Sequence, residues 1–280
     1  MVEPFTDVAV APPAPGLRSL IANYIGYHLR GYEAGVHRGL PGRQLTFIIS
    51  LDGPVEMAEL PHPARGPESM TAFVGGLAAA PALIRHDGSQ FGVALELTPL
   101  GARTLFGVPA GALAHEVVEL ADLLGRPTAE LMDRLTDAPD WAARFAVLDD
   151  LLCRTTRDTK DPAPEVVHAW NCLSASDGAI EVNELAREIG WSRRHLSERF
   201  RAELGLTPKV MGRVMRFERA RLVLQQRHRP SLADVAAACG YYDQAHMNRE
   251  WREFAGCSPT TWMAEELPSV QDSLAEVVGC

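Results

Sequence analysis

Residues Leu17, Leu20, Ile21, Tyr24, Ile25 and His28 fall three and four apart, a spacing that predicts a helix over residues 17–29. Ahead of it, the stretch ending Ala11-Pro12-Pro13-Ala14-Pro15 is too rich in proline for regular structure and predicts an extended arm. From Gln44 to Pro99 the texture changes. Short β-type runs at residues 45–51, 55–60, 71–74, 82–85 and 91–97 are separated by Gly, Pro and Asp clusters, which predicts a small antiparallel barrel or sandwich. After Pro99 the helical period returns at residues 100–105, 120–124, 128–135 and 141–152, with Pro127 and Asp140 as start signals. Residues 154–164 are polar, charged and closed by two prolines, and read as an interdomain linker. The remainder is helical in pattern. The chain is therefore expected to be α+β: a β-barrel or sandwich with helices over residues 1–153, a linker over 154–164, an all-α domain over 165–266 and a tail over 267–280.

Within the helical region a single pattern occurs twice. Leu185-Ala186-Arg187-Glu188-Ile189-Gly190-Trp191-Ser192 runs through Leu196 and Phe200 to Gly205-Leu206-Thr207-Pro208. Val235-Ala236-Ala237-Ala238-Cys239-Gly240-Tyr241-Tyr242 runs through Met247 and Trp251 to Gly256-Cys257-Ser258-Pro259. Each copy has a short helix with a small Ala facing its partner, a Gly for a tight turn and a second amphipathic helix, the signature of a helix-turn-helix. The second helix of such a unit lies in the DNA major groove. Between the copies, Thr207 and Pro208 are the N-cap and first residue of a long helix reaching about Gln226.

Charge changes the picture by its distribution. The net charge is -9, yet residues 191–229 hold 11 basic and 3 acidic side chains, a net of +8, against -7 for residues 1–164. A basic segment beside an acidic half is the electrostatic footprint of a DNA-binding face. No apolar run has the length of a membrane span and the N-terminus lacks a signal-peptide pattern, so a cytoplasmic location is expected. The five cysteines, Cys153, Cys172, Cys239, Cys257 and Cys280, form no C-x-x-C pair and show no His at metal spacing, and read as reduced thiols with no metal or cofactor.

In the first recognition helix, Leu196, Phe200 and Leu204 should pack inward against Ala186 and Ile189. Arg193, Arg194, Ser197 and Glu198 are then the candidates for base reading, since Arg pairs with guanine and a carboxylate accepts from cytosine. Ser192 and Arg201 are candidates for phosphate. In the second, Met247 and Trp251 point inward; Gln244, Asn248 and Arg249 are base-reading candidates and His246 and Arg252 phosphate candidates. Trp191 and Tyr241 are expected in the core, and Tyr242 nearer the backbone of the DNA.

The paired motif, its joining helix, and especially Gly240-Tyr241-Tyr242-Asp243-Gln244-Ala245-His246-Met247 followed by Phe254-Ala255-Gly256-Cys257-Ser258-Pro259, resemble the AraC/XylS transcriptional regulators over about residues 165–265. The resemblance implies a seven-helix domain that places two recognition helices in successive major grooves. Trp251 stands where the family usually has Phe, and Asp243 and His246 replace residues that are often small or polar. More loosely, Gly75-Gly76, Ile84-Arg85-His86 and residues 97–110 resemble a class of sensor domains in this family. That implies a cupin-like barrel with a small effector among residues 44–97 and dimer helices in residues 128–155. Tyr24, Arg85 and His86 are the effector-contact candidates, with an ordinary surface turn an equal reading of Arg85-His86.

The function expected is a sequence-specific DNA-binding regulator, not an enzyme, with double-stranded DNA, a second copy of the chain, a small-molecule effector and RNA polymerase as its partners. Two alternatives stay open. A constitutive regulator would use its N-terminal half only to dimerise. A DNA-docked enzyme of the alkyl-transfer type would need a reactive Cys in a Pro-Cys-His setting or a metal cluster, and the sequence supplies neither.

Overall fold

The computed structural model describes residues 4–226 and 229–266; the expected tail at 267–280, with Cys280, lies outside the described residues. Strands β1 (Phe5–Ala11), β2 (Ile21–Arg30), β9 (Gln90–Leu97), β4 (Leu45–Ser50), β7 (Ala72–Gly75) and β10 (Val117–Glu119) form a six-stranded sheet in that order. A second, four-stranded sheet has the order β3 (Gly35–Gly39), β8 (Ala82–His86), β5 (Val55–Glu59), β6 (Glu68–Met70). All pairings are antiparallel.

Side-chain alternation gives the larger sheet two different faces. Leu45, Phe47 and Ile49 of β4 and Val93, Leu95 and Leu97 of β9 are buried in a core completed by helices α1 (Gly101–Phe106), α2 (Leu120–Leu124), α3 (Pro127–Asp137) and α4 (Trp141–Thr155). Thr46, Ile48 and Ser50, with Ala94 and Glu96, point the other way and line a cavity shared with the smaller sheet. Asp140 caps α4 as its sequence suggested, accepting from the Ala143 N–H at 2.8 Å.

Two sequence expectations fail at the N-terminus. Residues 5–11, read as an irregular arm, pair with β2 along their whole length. Residues 21–30, read as helical, are a strand paired on both sides, by β1 and β9. A strand buried on both faces loses its period of two, and what remained matched a helix by chance. Gly26, at its middle, marks the close approach of α4: a Cβ there would lie 2.3 Å from Trp141 Cε3. Strands β3, β6 and β10 were not foreseen either, being short or polar.

The remaining helices follow the pattern read from sequence: α5 (Pro164–Ala175), α6 (Val182–Glu188), α7 (Arg193–Leu204), α8 (Pro208–Gln225), α9 (Leu232–Ala238), α10 (Gln244–Ala255) and α11 (Pro259–Glu266). Among the described residues no helix is long and apolar enough to cross a membrane. The polar segment before α5 is pinned to the N-terminal half. Arg157 donates through its backbone N–H to the Thr104 carbonyl at 2.7 Å and through its guanidinium to the Phe106 carbonyl at 2.9 Å.

Gly190 and Gly240, the turn residues of the two repeats, have φ of 73° and 75°. Nothing lies within 4 Å of a Cβ built on either, so any cost of substitution there is conformational. Gly240→Val is expected to cost about 1 to 2 kcal/mol in a thermal melt, and Gly240→Asn less, because Asn tolerates the left-handed region. Equal melting of both variants with the native chain would remove the turn assignment.

Candidate DNA interface and effector cavity

Each helix-turn-helix is built on a buried stripe. Leu196, Phe200 and Leu204 of α7 are fully buried, together with Leu185 and Ala186 of α6, while Ile189 is only partly covered. Met247 and Trp251 of α10 are likewise fully buried beside Val235 and Ala236 of α9. The recognition helices begin on side-chain caps: Ser192 Oγ accepts from the His195 N–H at 3.2 Å and Asp243 Oδ1 from the His246 N–H at 2.6 Å. Asp243, a departure from the family pattern, therefore serves as an N-cap. Tyr241 packs in the core and Trp191 lies partly covered against it, whereas Tyr242 is 93% exposed at the second turn.

These stripes leave Ser192, Arg193, Arg194, Glu198 and Arg201 exposed on α7 and its cap, and Gln244, Arg249 and Arg252 exposed on α10. Ser197, Asn248 and His246 are half-buried. Arg194 Nε donates to Glu198 Oε1 at 2.8 Å, so two proposed base readers pair with each other in the free protein. His246 is turned inward: Nδ1 accepts from the Tyr242 N–H at 3.4 Å, and Nε2 lies 3.5 Å from Glu250.

Helix α8 holds the two units together. Met211, Val214, Met215, Phe217 and Ala220 are buried along it. Arg213 donates to Glu250 at 2.7 Å and to Glu253 of α10, and these hydrogen bonds hold its pKa above the usual arginine value despite partial burial. Arg216 donates to the Gly240 carbonyl at 3.1 Å, bracing the second turn. Some of the basic segment is thus internal framework; Arg193, Arg194, Arg199, Arg201, Lys209 and Arg219 are the exposed basic residues of residues 191–226.

The N-terminal half docks on these helices through ion pairs. Arg103 of α1 donates to both carboxylate oxygens of Glu203 on α7, at 2.5 and 2.7 Å. Arg43 bridges Glu218 of α8 and Asp177. At the far end, Glu266 of α11 pairs with His37 Nδ1 at 2.9 Å and with Arg38 at 3.1 Å. Burial opposes ionisation of Glu266, but the hydrogen bonds and charge of His37 and Arg38 prevail and hold its carboxyl below the usual range.

A helix-turn-helix domain family model matches residues 185–265, the span of both repeats. Residues 185–265 are an AraC-type helix-turn-helix domain. Among curated relatives, the chain is 35% identical over 68 residues to an uncharacterized HTH-type transcriptional regulator, YbfI of Bacillus subtilis (strain 168), covering 24% of this chain and 24% of that protein. The match thus spans about a quarter of that relative's length. A solved AraC-type transcriptional regulator from Chromobacterium violaceum is 27% identical, covering 36% of this chain and 90% of that one, with a TM-score of 0.33. The fold is shared over a greater length with an apo variant of ToxT from Vibrio cholerae strain SCE256, covering 93% of this chain and 97% of that one at a TM-score of 0.51 and 10% identity.

A cavity of about 2070 Å³ lies between the two sheets and opens against the AraC-type domain. Ile25, Ile48, Met57, Phe73 and Ile84 supply apolar lining; Glu218, Arg221 and Gln225 of α8, with Trp262 and Glu266 of α11, reach it from the DNA-binding side. Of the effector candidates, Arg85 and His86 are on this lining. His86 Nδ1 is buried without a partner among the described residues, and burial and the charge of His37 hold its pKa low. Tyr24 is not on the lining: it is fully buried on the core face of β2, its hydroxyl donating to Asp149 Oδ1 at 2.9 Å. The face alternates along the strand, so Tyr24 turns away where Asn23 and Ile25 turn toward the cavity.

The cavity residue that sequence reasoning missed is Arg221. Its Nε is shut off from solvent without a hydrogen-bond partner, and Nη1 reaches only Gln225 Oε1 at 3.5 Å. Burial pushes its pKa down, against the charges of Glu218 and Glu96. No carboxylate among the described residues lies within ion-pair distance of it; Glu218 is taken by Arg43, and Glu96 accepts from Asn23 at 3.2 Å. A signal existed in the sequence: Glu218, Arg221 and Gln225 make a polar stripe at helical spacing on a helix whose neighbouring faces are apolar.

One reading of the cysteines also needs correction. His168 and Cys172 are four apart on α5 and do sit at metal spacing; Cys172 Sγ lies 3.5 Å from His168 Nε2, which lies 2.7 Å from Glu188 Oε1 on α6.

Proposed function

We propose that the protein is a transcriptional regulator that places α7 and α10 in successive major grooves of one DNA site and is controlled by a small molecule in the intersheet cavity. The observation that carries the DNA reading is the doubled unit on α8, with both recognition helices buried on one stripe and exposed at their N-terminal ends. Arg193, Arg194, Ser197, Glu198, Gln244, Asn248 and Arg249 read bases in this scheme, and Ser192, Arg201, Arg252 and Tyr242 face the backbone, with His246 reaching a phosphate only once its ring turns out from Glu250. Binding requires the Arg194–Glu198 pair to open, so Glu198 acts as a filter against bases that cannot satisfy both side chains. Arg193→Ala with Arg194→Ala should relax base preference in one half of a selected site, and Arg249→Ala in the other, each by about 1 to 3 kcal/mol per lost base contact. Selection of bound fragments from a genomic library reads this; uniform weakening with unchanged preference would reduce these residues to phosphate contacts.

Control by a ligand rests on Arg221. Arg221 keeps part of its side chain accessible to the cavity, but a cation whose Nε is shut off from solvent and which has no carboxylate at ion-pair distance is costly, and an anionic group in the cavity would relieve that cost. Because Arg221 stands on the helix that joins both DNA-binding units, the ligand would act on that helix directly. Arg221→Met should leave the unliganded protein as stable or more stable by about 1 to 4 kcal/mol, since an apolar chain replaces an unpaired charge. It should also abolish the melting shift produced by carboxylate-bearing compounds. A strong loss of stability in this variant would instead make Arg221 a structural cation. If no compound shifts the native chain at all, the constitutive reading gains, with the N-terminal half serving to pair two copies through α3 and α4.

A further inference from the structure

Apart from the DNA face and the cavity, the structure brings three metal-ligating groups of different chemistry to one point on the surface of the DNA-binding half. His168 and Cys172 project from successive turns of α5, and Glu188 from the last turn of α6. Their donor atoms all lie within 4.8 Å of one another, with His168 Nε2 in the middle. Each is partly open to solvent, which gives an ion a path of entry. A tetrahedral zinc ion bound to one imidazole nitrogen and one thiolate holds those two atoms about 3.5 Å apart, given bonds of about 2.0 and 2.3 Å; Cys172 Sγ and His168 Nε2 are 3.5 Å apart. The His168–Glu188 distance of 2.7 Å is that of a hydrogen bond and needs only a small side-chain rotation to open.

We infer that His168, Cys172 and Glu188 form a binding site for a borderline divalent ion of the zinc type, with water in the fourth position. One nitrogen, one sulfur and one carboxylate oxygen suit such an ion better than a hard cation such as magnesium, which prefers oxygen throughout. On binding, the Cys172 thiol loses its proton to solvent and the sulfur bonds to the ion. The neutral His168 ring moves its proton to Nδ1 and gives the Nε2 lone pair, and Glu188 exchanges its hydrogen bond for a bond to the metal. One proton is released per ion, so binding weakens as pH falls. The ion takes the place of the thiol proton in the site. Once bound, it ties α6, the first helix of the first DNA-reading unit, to α5.

The test uses the full chain, reduced and stripped of metal, titrated with Co²⁺. The expected result is one equivalent bound with visible bands of four-coordinate cobalt and a sulfur-to-metal charge-transfer band in the ultraviolet. Cys172→Ser should remove the charge-transfer band. His168→Gln should weaken binding by more than about tenfold, since even outer-shell partners of metal ligands are worth 10- to 100-fold. Zn²⁺ at a hundred times its dissociation constant should raise the melting temperature by about 5 °C or more in the native chain and not in Cys172→Ser. Absence of the charge-transfer band would overturn the site, as would its persistence at full strength in Cys172→Ser, where another thiol would be the ligand. Cys172→Ser lies on a partly open helix face, and its unchanged melting without metal serves as the folding control.

Discussion

Trp251→Ala is expected to lower stability by about 3 to 5 kcal/mol, the range for truncating a fully buried aromatic residue. Trp251 has no exposed surface; its ring meets Phe217 of α8 edge-on at 4.8 Å and Trp262 of α11 at 5.5 Å. It is therefore the point at which α8, α10 and α11 meet, and its loss leaves the second recognition helix without a seat. The melting temperature should fall by about 10 °C, with selective loss of base preference in the half of the site read by α10. Trp251→Phe should cost much less. Phenylalanine keeps most of the aromatic contact, and it removes the indole Nε1, a buried donor without a hydrogen-bond partner among the described residues. A Trp251→Ala protein that melted within a degree or two of the native chain would contradict this account of the second unit.

The second large effect concerns the join between the halves. Glu218→Ala is expected to destabilise the protein by about 2 to 4 kcal/mol, somewhat below the full penalty for breaking a buried pair, because Arg43 keeps some of its surface in water. Glu218 accepts from the Arg43 guanidinium and from the Arg43 backbone N–H, and its charge also faces Arg221. Its removal leaves two cations on the interface without that carboxylate. The double variant Arg43→Met with Glu218→Met should recover the part of the loss that comes from an unpaired Arg43, while Arg221 still lacks the Glu218 charge and the half-exposed Asp177 loses its partner to water. Limited proteolysis between α4 and α5 gives a second readout: cleavage should accelerate in Glu218→Ala and return toward the native rate in the double variant. Equal cleavage in all three proteins would mean that Arg43 and Glu218 do not hold the halves together.

Legibility in the sequence followed the range of the interactions. The caps of α4 and α8, the turn glycines at 190 and 240 and the inward stripes of α7 and α10 are set by residues within about one or two helical turns, and could be read directly; Ser192 and Asp243, read as a phosphate candidate and as a departure from the family, turned out to be the caps of α7 and α10. Strand β2 could not. Its partners β1 and β9 lie on either side of it and Trp141 packs on Gly26 from a helix more than a hundred residues away, so its burial on both faces has no local signature. The same limit applied to charge. The net charge of residues 191–229 pointed to DNA, yet Arg213 and Arg216 are held by α10 and the second turn, and Arg221 faces the cavity.

By itself the sequence determined the doubled helix-turn-helix unit, its cores, its turns and the cap of its joining helix, because these depend on periodicity and on backbone preferences that each residue carries with it. Tertiary structure alone decided which face of the β-sheet is cavity and which is core, that Tyr24 turns away from the cavity while Arg221 enters it, and that His168, Cys172 and Glu188 converge. Those outcomes depend on which distant surfaces meet, and a buried charge or a ligand set acquires its chemistry only from the groups that packing places beside it.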